Sequence, residues 1–131
     1  MRAQSQGEVP RYACPVDLTL DVIGRKWQPL ILWNLSSGPL HYNLLQAALP
    51  DVSHKVLTQQ LRDLERHHII SRTVSADGRR VSYALTEFGR SLRPVLRTLA
   101  EWGQRHSREM GAQIVMTRPC RGRAVAFLSA G

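Results

Sequence analysis

The sequence predicts a mainly α-helical fold with a small β-hairpin wing, the winged helix-turn-helix. The first observation is a stripe of leucines at positions 57, 61 and 64, whose spacing gives the segment 53–67 one buried helical face. The second is a shorter helical segment before it, separated by a turn of about three or four residues. The third is a pair of β-like runs after it, joined by Ala76-Asp77-Gly78-Arg79. Helix, turn, helix and basic hairpin follow one another in this order in winged helices.

The outward face of the segment 53–67 has the chemistry of a DNA-reading surface. Glutamine pairs with adenine edges, arginine and lysine pair with guanine, and serine and threonine reach phosphates or bases. Asp63 and Glu65 are expected on the helix flanks, off this face, and Ser53 is the predicted N-cap. An ordinary solvated helix surface is the alternative, but the basic hairpin that follows favours DNA. The candidate base-reading residues are Ser53, His54, Lys55, Thr58, Gln59 and Arg62.

The hairpin supplies the predicted wing. Its two runs alternate with polar neighbours, as antiparallel strands do, at positions Ile70, Arg72, Val74, Val81, Tyr83 and Leu85. Asp77-Gly78 is expected to supply the positive-φ positions of a tight turn. Arginines on a wing lie along phosphates or enter the minor groove. The candidate DNA contacts of the wing are therefore Arg72, Arg79 and Arg80.

Shorter elements precede the leucine stripe. Cys14-Pro15-Val16-Asp17 predicts a helix start, because proline fits the first helical position and aspartate the positive end of the helix dipole. The segment 27–35 is apolar on several sides and predicts the core helix, with Pro29 in its first turn. Leu40-His41-Tyr42 makes either a short strand or the lead into a helix over 43–49.

Thr86-Glu87 predicts the start of a last long helix, which runs to about residue 106 and bends at Pro94. Because this helix follows a complete helix-and-wing core, its apolar stripe needs a partner. The first helix is one candidate, and a second copy of the chain is the other. A two-fold dimer would also place two reading helices on successive turns of DNA. The candidate dimer-interface residues are Leu20, Leu92, Val95, Leu96, Leu99 and Trp102.

Length and composition fit one globular domain of 131 residues, 43% of them hydrophobic. We expect a flexible N-terminal arm at 1–12, the winged helix at 13–106 and a basic tail at 107–131. No apolar run is long enough to span a bilayer and no secretory signal is present, so a cytoplasmic protein without a membrane partner is expected. The net charge is +8, and half of it lies within 53–93, where eight basic residues face four acidic ones. Such a region is suited to phosphates.

No catalytic, metal or cofactor site is expected. The sequence has no glycine-rich phosphate loop, paired carboxylates or Ser/His/Asp arrangement, so an enzyme is not predicted. Cys14 and Cys120 lie far apart, and the five histidines show no ligand spacing with them. His67-His68 falls at a helix end, where imidazole stabilises the last carbonyls. With these classes set aside, the sequence favours a DNA-binding regulator. The alternative is a winged helix that contacts another protein. A loss of basic residues from the outward helix face and the wing would favour that alternative.

Several motifs follow one another in a family-like order. They are Cys14-Pro15-Val16, Leu20-Asp21-Val22-Ile23-Gly24, Lys26-Trp27, Leu30-Ile31-Leu32, Leu57-Thr58-Gln59-Gln60-Leu61-Arg62-Asp63-Leu64-Glu65, Tyr83-Ala84-Leu85-Thr86 and Gly89-Arg90-Ser91-Leu92. From about residue 14 to 106, the chain resembles the HxlR-type transcriptional regulators of bacteria, winged-helix proteins related in architecture to the MarR group. The resemblance implies a homodimer joined through its first and last helices, which binds double-stranded DNA at an inverted-repeat operator. We expect such a regulator to act as a repressor. Arg25 departs from the second glycine of the usual Gly-Gly-Lys-Trp, and Leu44 from the glutamate after Phe-Asn.

The resemblance also implies a redox sensor at Cys14, because some members sense electrophiles or oxidants through the cysteine of the Cys-Pro-Val motif. Helix N-termini and nearby cations favour the thiolate of a cysteine, and the candidate cations are Arg11, Arg25 and Lys26. An adduct or a disulfide at the dimer interface would change the spacing of the reading helices. An inert cysteine that fills core space is the alternative.

The sequence raises two further questions about an effector. Cys120 is not expected to act as a resolving partner for Cys14, because it lies in the tail. A small-molecule effector pocket is possible near Trp27, Trp33 and Trp102, although tryptophans at helical spacing also fit an ordinary core.

Overall fold

The computed structural model describes residues 9–115, which form six helices and three strands. In chain order these are α1 (Pro15–Ile23), α2 (Gln28–Leu35), β1 (Leu40–His41), α3 (Tyr42–Ala48), α4 (His54–Arg66), β2 (Ile70–Val74), β3 (Val81–Leu85), α5 (Glu87–Arg90) and α6 (Arg93–His106). Residues 1–8 of the predicted arm and the tail from residue 116, with Cys120, lie outside the described residues. Within the described span no helix has the length and apolarity needed to cross a membrane.

The core lies between α2, α4 and the sheet. α2 is apolar on several sides and buries Ile31, Leu32 and Leu35 almost completely. The leucine stripe of α4 belongs to the same cluster, with Leu57, Leu61 and Leu64 at most 1% exposed. Burial of each such side chain contributes about 1.5–3 kcal/mol. The stripe therefore determines which face of α4 turns inward and leaves the opposite face free.

Three helix starts follow local signals. α1 begins at Pro15 with Cys14 as its N-cap, and Pro29 lies in the first turn of α2, where no intrahelical hydrogen bond is lost. At the start of α4, the hydroxyl of Ser53 accepts a hydrogen bond from the backbone N–H of Val56 at 3.1 Å. These three predictions are confirmed.

The strands form one antiparallel sheet in the order β1-β3-β2. Leu40 of β1 pairs with Tyr83 of β3, and α3 begins directly afterwards at Tyr42, so both alternatives for this segment occur in succession. β2 and β3 pair along their whole length, yet every residue of β2 beyond Ile70 is exposed. The hairpin therefore projects from the body of the domain, as a wing.

The end of α4 is satisfied by the main chain. His68 adopts a left-handed φ of 61°, which lets its N–H donate to the carbonyl of Glu65 at 2.9 Å. The N–H of Ile69 donates to the carbonyl of Leu64 at 3.0 Å, which completes a Schellman motif. Backbone donors thus take the place that was predicted for the imidazoles of His67 and His68.

The predicted last helix is in fact two helices. Thr86 caps α5, since its hydroxyl accepts the N–H of Gly89 at 2.9 Å, and α6 then begins at Arg93 with Pro94 in its first turn. The prediction of one helix bent at Pro94 was wrong. A proline inside a helix removes a backbone hydrogen bond and clashes with the preceding turn, whereas a proline in the first turn does neither. α5 packs so closely that a Cβ on Gly89 would collide with the carbonyl of Ile69.

A buried carboxylate ties α4 to the loop that follows α1. Asp63 was predicted to lie on the helix surface, but its side chain is only 3% exposed. One of its oxygens accepts a hydrogen bond from Arg25 at 2.7 Å, and the other accepts from Arg66 and, at 3.2 Å, from Gln59. The surface prediction was therefore wrong, because Arg25 reaches across from a segment 38 residues away.

Replacement of Asp63 by asparagine is expected to lower the free energy of unfolding by about 1–3 kcal/mol, because an amide cannot balance the guanidinium charges and the site is shielded from water. Chemical denaturation followed by circular dichroism measures the loss. As the matched control, Arg66→Ala should cost below about 1 kcal/mol, because the Arg66 side chain is 68% exposed. Equal losses from both variants would contradict the role of Arg25 as the main partner.

Candidate nucleic-acid interface

The outward face of α4 carries the predicted base-reading residues. The leucine stripe turns inward, and of the six candidates only Thr58 is half-buried. The five exposed candidates are Ser53, His54, Lys55, Gln59 and Arg62. N-terminal residues of a reading helix are those that usually reach base edges. Burial of the leucines thus leaves the whole candidate set accessible from one side.

The first turns of α4 and the wing line one concave surface, which we call the wing groove. It has a volume of about 630 Å³ and lies between α3, α4 and the wing, the hairpin formed by β2, β3 and the loop between them. α4 contributes His54 and Thr58, and the wing contributes Arg72, Arg79 and Arg80. The structure therefore brings all three wing arginines together with two of the reading-helix candidates.

Two more candidates lie further along α4. Gln59 and Arg62 line a second, shallower concavity with Glu65 and Arg66. The amide of Gln59 donates to Asp63, so one of its hydrogen-bonding groups is already used inside the protein. Four of the six candidates are therefore divided between these two concavities, and Ser53 and Lys55 line neither of them.

The tip of the wing is organised by Asp77. Its carboxylate accepts the hydroxyl of Ser75 at 2.5 Å and the backbone N–H of Arg79 at 3.0 Å. The Ser75 hydroxyl and then the Arg79 N–H hold the pKa of Asp77 below its ordinary value. Within this turn only Gly78 adopts a positive φ, of 75°, so the prediction that Asp77 shares this conformation is wrong. Asp77 acts as a hydrogen-bond acceptor that shapes the loop.

Two residues were missed by the sequence analysis: Tyr42, which lines the wing groove, and Gln46, its hydrogen-bond partner. The hydroxyl of Tyr42 lies 2.5 Å from Nδ1 of His54, and it also donates to Oε1 of Gln46 at 3.2 Å. Both belong to α3, to which the sequence analysis assigned no side-chain contacts. A tyrosine at the first position of a helix was a weak signal, and nothing in the spacing indicated its contact with α4.

Exposed apolar side chains lie on α1 and α6. Leu20, Leu99 and Trp102 are each more than half exposed, and Val95 is 37% exposed. Leu96 is 3% exposed and belongs to the protomer's own core, and Leu92 is partly buried against that core. Which face of the last helix turns inward depended on the break before α6, and the sequence analysis placed no break there.

Cys14 is exposed at the N-cap of α1. Two of the cations expected near it are engaged elsewhere: Arg25 pairs with Asp63, and the ammonium of Lys26 lies 5.2 Å from the ring centre of Trp27. None of the tryptophans lines the wing groove, and Trp27 and Trp33 pack against the core. Within residues 9–115 no three histidine, cysteine or acidic side chains are grouped to hold a metal ion.

Comparison with known proteins places this architecture. A family model described as HxlR-like helix-turn-helix matches residues 22–110. The HTH-type transcriptional regulator YdeP of Bacillus subtilis (strain 168), itself uncharacterised, is 42% identical over 94 residues, which are 71% of this chain and 73% of YdeP.

Solved structures of transcriptional regulators share this fold. The redox regulator HypR in its reduced form superposes with a TM-score of 0.72 and 36% identity, over 75% of this chain and 98% of HypR. Quinone-bound YodB from B. subtilis gives a TM-score of 0.61 and 29% identity, over 70% of this chain and 99% of YodB. The chain belongs to the HxlR-like helix-turn-helix family of transcriptional regulators.

Proposed function

We propose that this regulator binds double-stranded DNA in a sequence-specific manner, as a homodimer on an inverted-repeat operator, and represses transcription. One observation carries the proposal: the wing groove places the exposed start of α4 beside three arginines of the wing. An α-helix fits the major groove, and guanidinium groups beside it are suited to the flanking phosphates.

The two halves of this surface have different tasks. Arg62 and Lys55 on the exposed face of α4 are long donors suited to guanine edges. Arg79 and Arg80 lie at the tip of the projecting wing, where Asp77 holds the loop in shape. We assign base contacts to α4 and phosphate contacts to the wing.

The second copy is assigned to the apolar face of α1 and α6. Leu20, Val95, Leu99 and Trp102 expose large apolar area that water does not favour. A two-fold axis along these helices would cover the four side chains on both copies and orient two reading helices toward one side of the DNA.

The signal is assigned to the thiol of Cys14. It is exposed at the start of α1, beside the proposed dimer face, so a modification there alters the contact between the two copies. HypR is described as a redox regulator and YodB was solved with a bound quinone, and both share this fold. A non-covalent small-molecule effector is the competing proposal.

Arg62→Ala is expected to weaken operator binding by about 1–3 kcal/mol and to relax the preference for one base, whereas Arg79→Ala or Arg80→Ala should weaken binding to all sequences and reduce the salt slope by about one unit each. Fluorescence anisotropy across a salt series, on operator and scrambled duplexes, separates these effects. Arg105→Ala, which removes the same charge at the end of α6, is the matched control and should change neither quantity. An unchanged base preference in Arg62→Ala would sink the assignment of the reading face.

Leu99→Glu is expected to convert the dimer to a monomer. In a two-fold interface the substitution is present on both copies. The free energy of association should therefore weaken by at least about 3 kcal/mol, roughly a hundredfold in Kd. Light scattering after size exclusion measures the mass. Leu44→Glu, at an equally exposed leucine of α3, is the control and should remain dimeric. A dimeric Leu99→Glu variant would refute the α6 interface.

Treatment with a benzoquinone, an electrophile that thiolates attack, is expected to release the protein from operator DNA in a gel shift. Cys14→Ser should keep binding after treatment, and Cys120→Ser should lose it as the natural sequence does. Release that persists in Cys14→Ser would contradict the sensor, and binding indifferent to treatment would favour a non-covalent effector.

A further inference from the structure

The hydroxyl of Tyr42 links α3 to the first residue of the reading helix. Its oxygen lies 2.5 Å from Nδ1 of His54 and 3.2 Å from Oε1 of Gln46. The two rings meet edge to face, with centres 5.2 Å apart and planes inclined at 74°. His54 is thereby held by its Nδ1 side, at the position of α4 where reading helices approach base edges.

Gln46 determines the direction of hydrogen bonding in this relay. Its Nε2 donates to the carbonyl of Val52 at 2.8 Å and lies 3.4 Å from the carbonyl of Leu49. Only nitrogen can donate to these carbonyls, so the amide cannot be reversed. Oε1 therefore faces Tyr42, and an amide oxygen can only accept.

A phenol has a single proton, so Tyr42 can donate to one partner. If it donates to Gln46, its oxygen accepts the proton on Nδ1 of His54 and both hydrogen bonds are made. If it donates to His54 instead, two oxygens face each other at 3.2 Å and the half-buried Oε1 loses this donor. The first arrangement satisfies every group and is the one the relay selects.

The consequence is a fixed tautomer for the neutral imidazole. With the proton on Nδ1, Nε2 on the other side of the ring is a bare acceptor. The neighbouring wing side chains Arg72, Arg79 and Arg80 are all donors. Phosphate oxygens are acceptors and pair with those arginines, so an acceptor in the same groove is suited to a base rather than to the backbone.

We propose that the Gln46–Tyr42 relay makes His54 a specificity-determining acceptor, which selects a base amino group at one position of the operator. In the major groove, adenine and cytosine present amino donors, whereas guanine and thymine present keto oxygens that an acceptor repels. Tyr42 and Gln46 are positioning residues, and Tyr42→Phe removes the hydroxyl that fixes the tautomer. This inference rests on the proposed DNA binding.

The tautomer itself is measured on the full-length free protein by two-dimensional 15N NMR of the histidine ring, at about pH 8.5. We expect His54 with protonated Nδ1 and bare Nε2, and a mixture of tautomers in Tyr42→Phe. Tyr12→Phe removes a hydroxyl from a tyrosine outside the wing groove and should leave the His54 signals unchanged. If Nε2 of His54 is protonated in the unaltered chain, the inference is wrong, and no variant is needed to show it.

Selection of binding sites from random duplex DNA tests the base contact. The unaltered chain and Tyr12→Phe should prefer adenine or cytosine over guanine or thymine at one position, by roughly threefold to tenfold, the range of a single hydrogen bond. Tyr42→Phe should lose this amino-over-keto preference and keep the others. If it keeps that preference, the Gln46–Tyr42 relay does not determine it and the inference fails, although DNA binding stands. If the unaltered chain selects no sequence, the proposed function fails and this inference fails with it.

Discussion

The buried carboxylate of Asp63 connects α4, to which we assign the base contacts, with the loop that follows α1. It lies on the inner side of the reading helix, and its main partner, Arg25, belongs to the loop directly after α1. An ion pair shielded from water is directional and depends strongly on distance, unlike leucine packing, which tolerates small slides. The position of α4 is therefore coupled to the end of α1, the helix that carries Cys14 and part of the exposed apolar face.

Local signals in the sequence were sufficient for most of the fold. The leucine stripe, the Ser53 cap and the first-turn prolines act within a few residues, and each element formed where these signals occur. The break before α6 was missed because Pro94 fits both the interior of a bent helix and the first turn of a new one. That choice also decided whether Leu96 lies inside or on the surface, because it sets the rotation of the helix.

The candidate site was predictable as a surface and less so as a set of contacts. Exposure of the outward face of α4 follows from helical periodicity, and the wing arginines follow from the hairpin. Arg25 and Asp63, 38 residues apart, are paired only by the folded chain. The hydrogen bond between Tyr42 and His54 depends in the same way on the angle between α3 and α4, which no spacing rule contains. Arg25, a departure from the family glycine, was the one signal of a long-range partner.

β2 lies at the edge of the described sheet, because β3 separates it from β1. An edge strand of five residues with an exposed Val74 offers unpaired backbone groups to any other extended chain, including the same strand of a second copy. Arg72 stands in the middle of this strand and is exposed. Two such strands side by side would bring like charges together, which opposes sheet growth between molecules. The charge suited to a phosphate thus also opposes edge-to-edge pairing of this sheet between molecules.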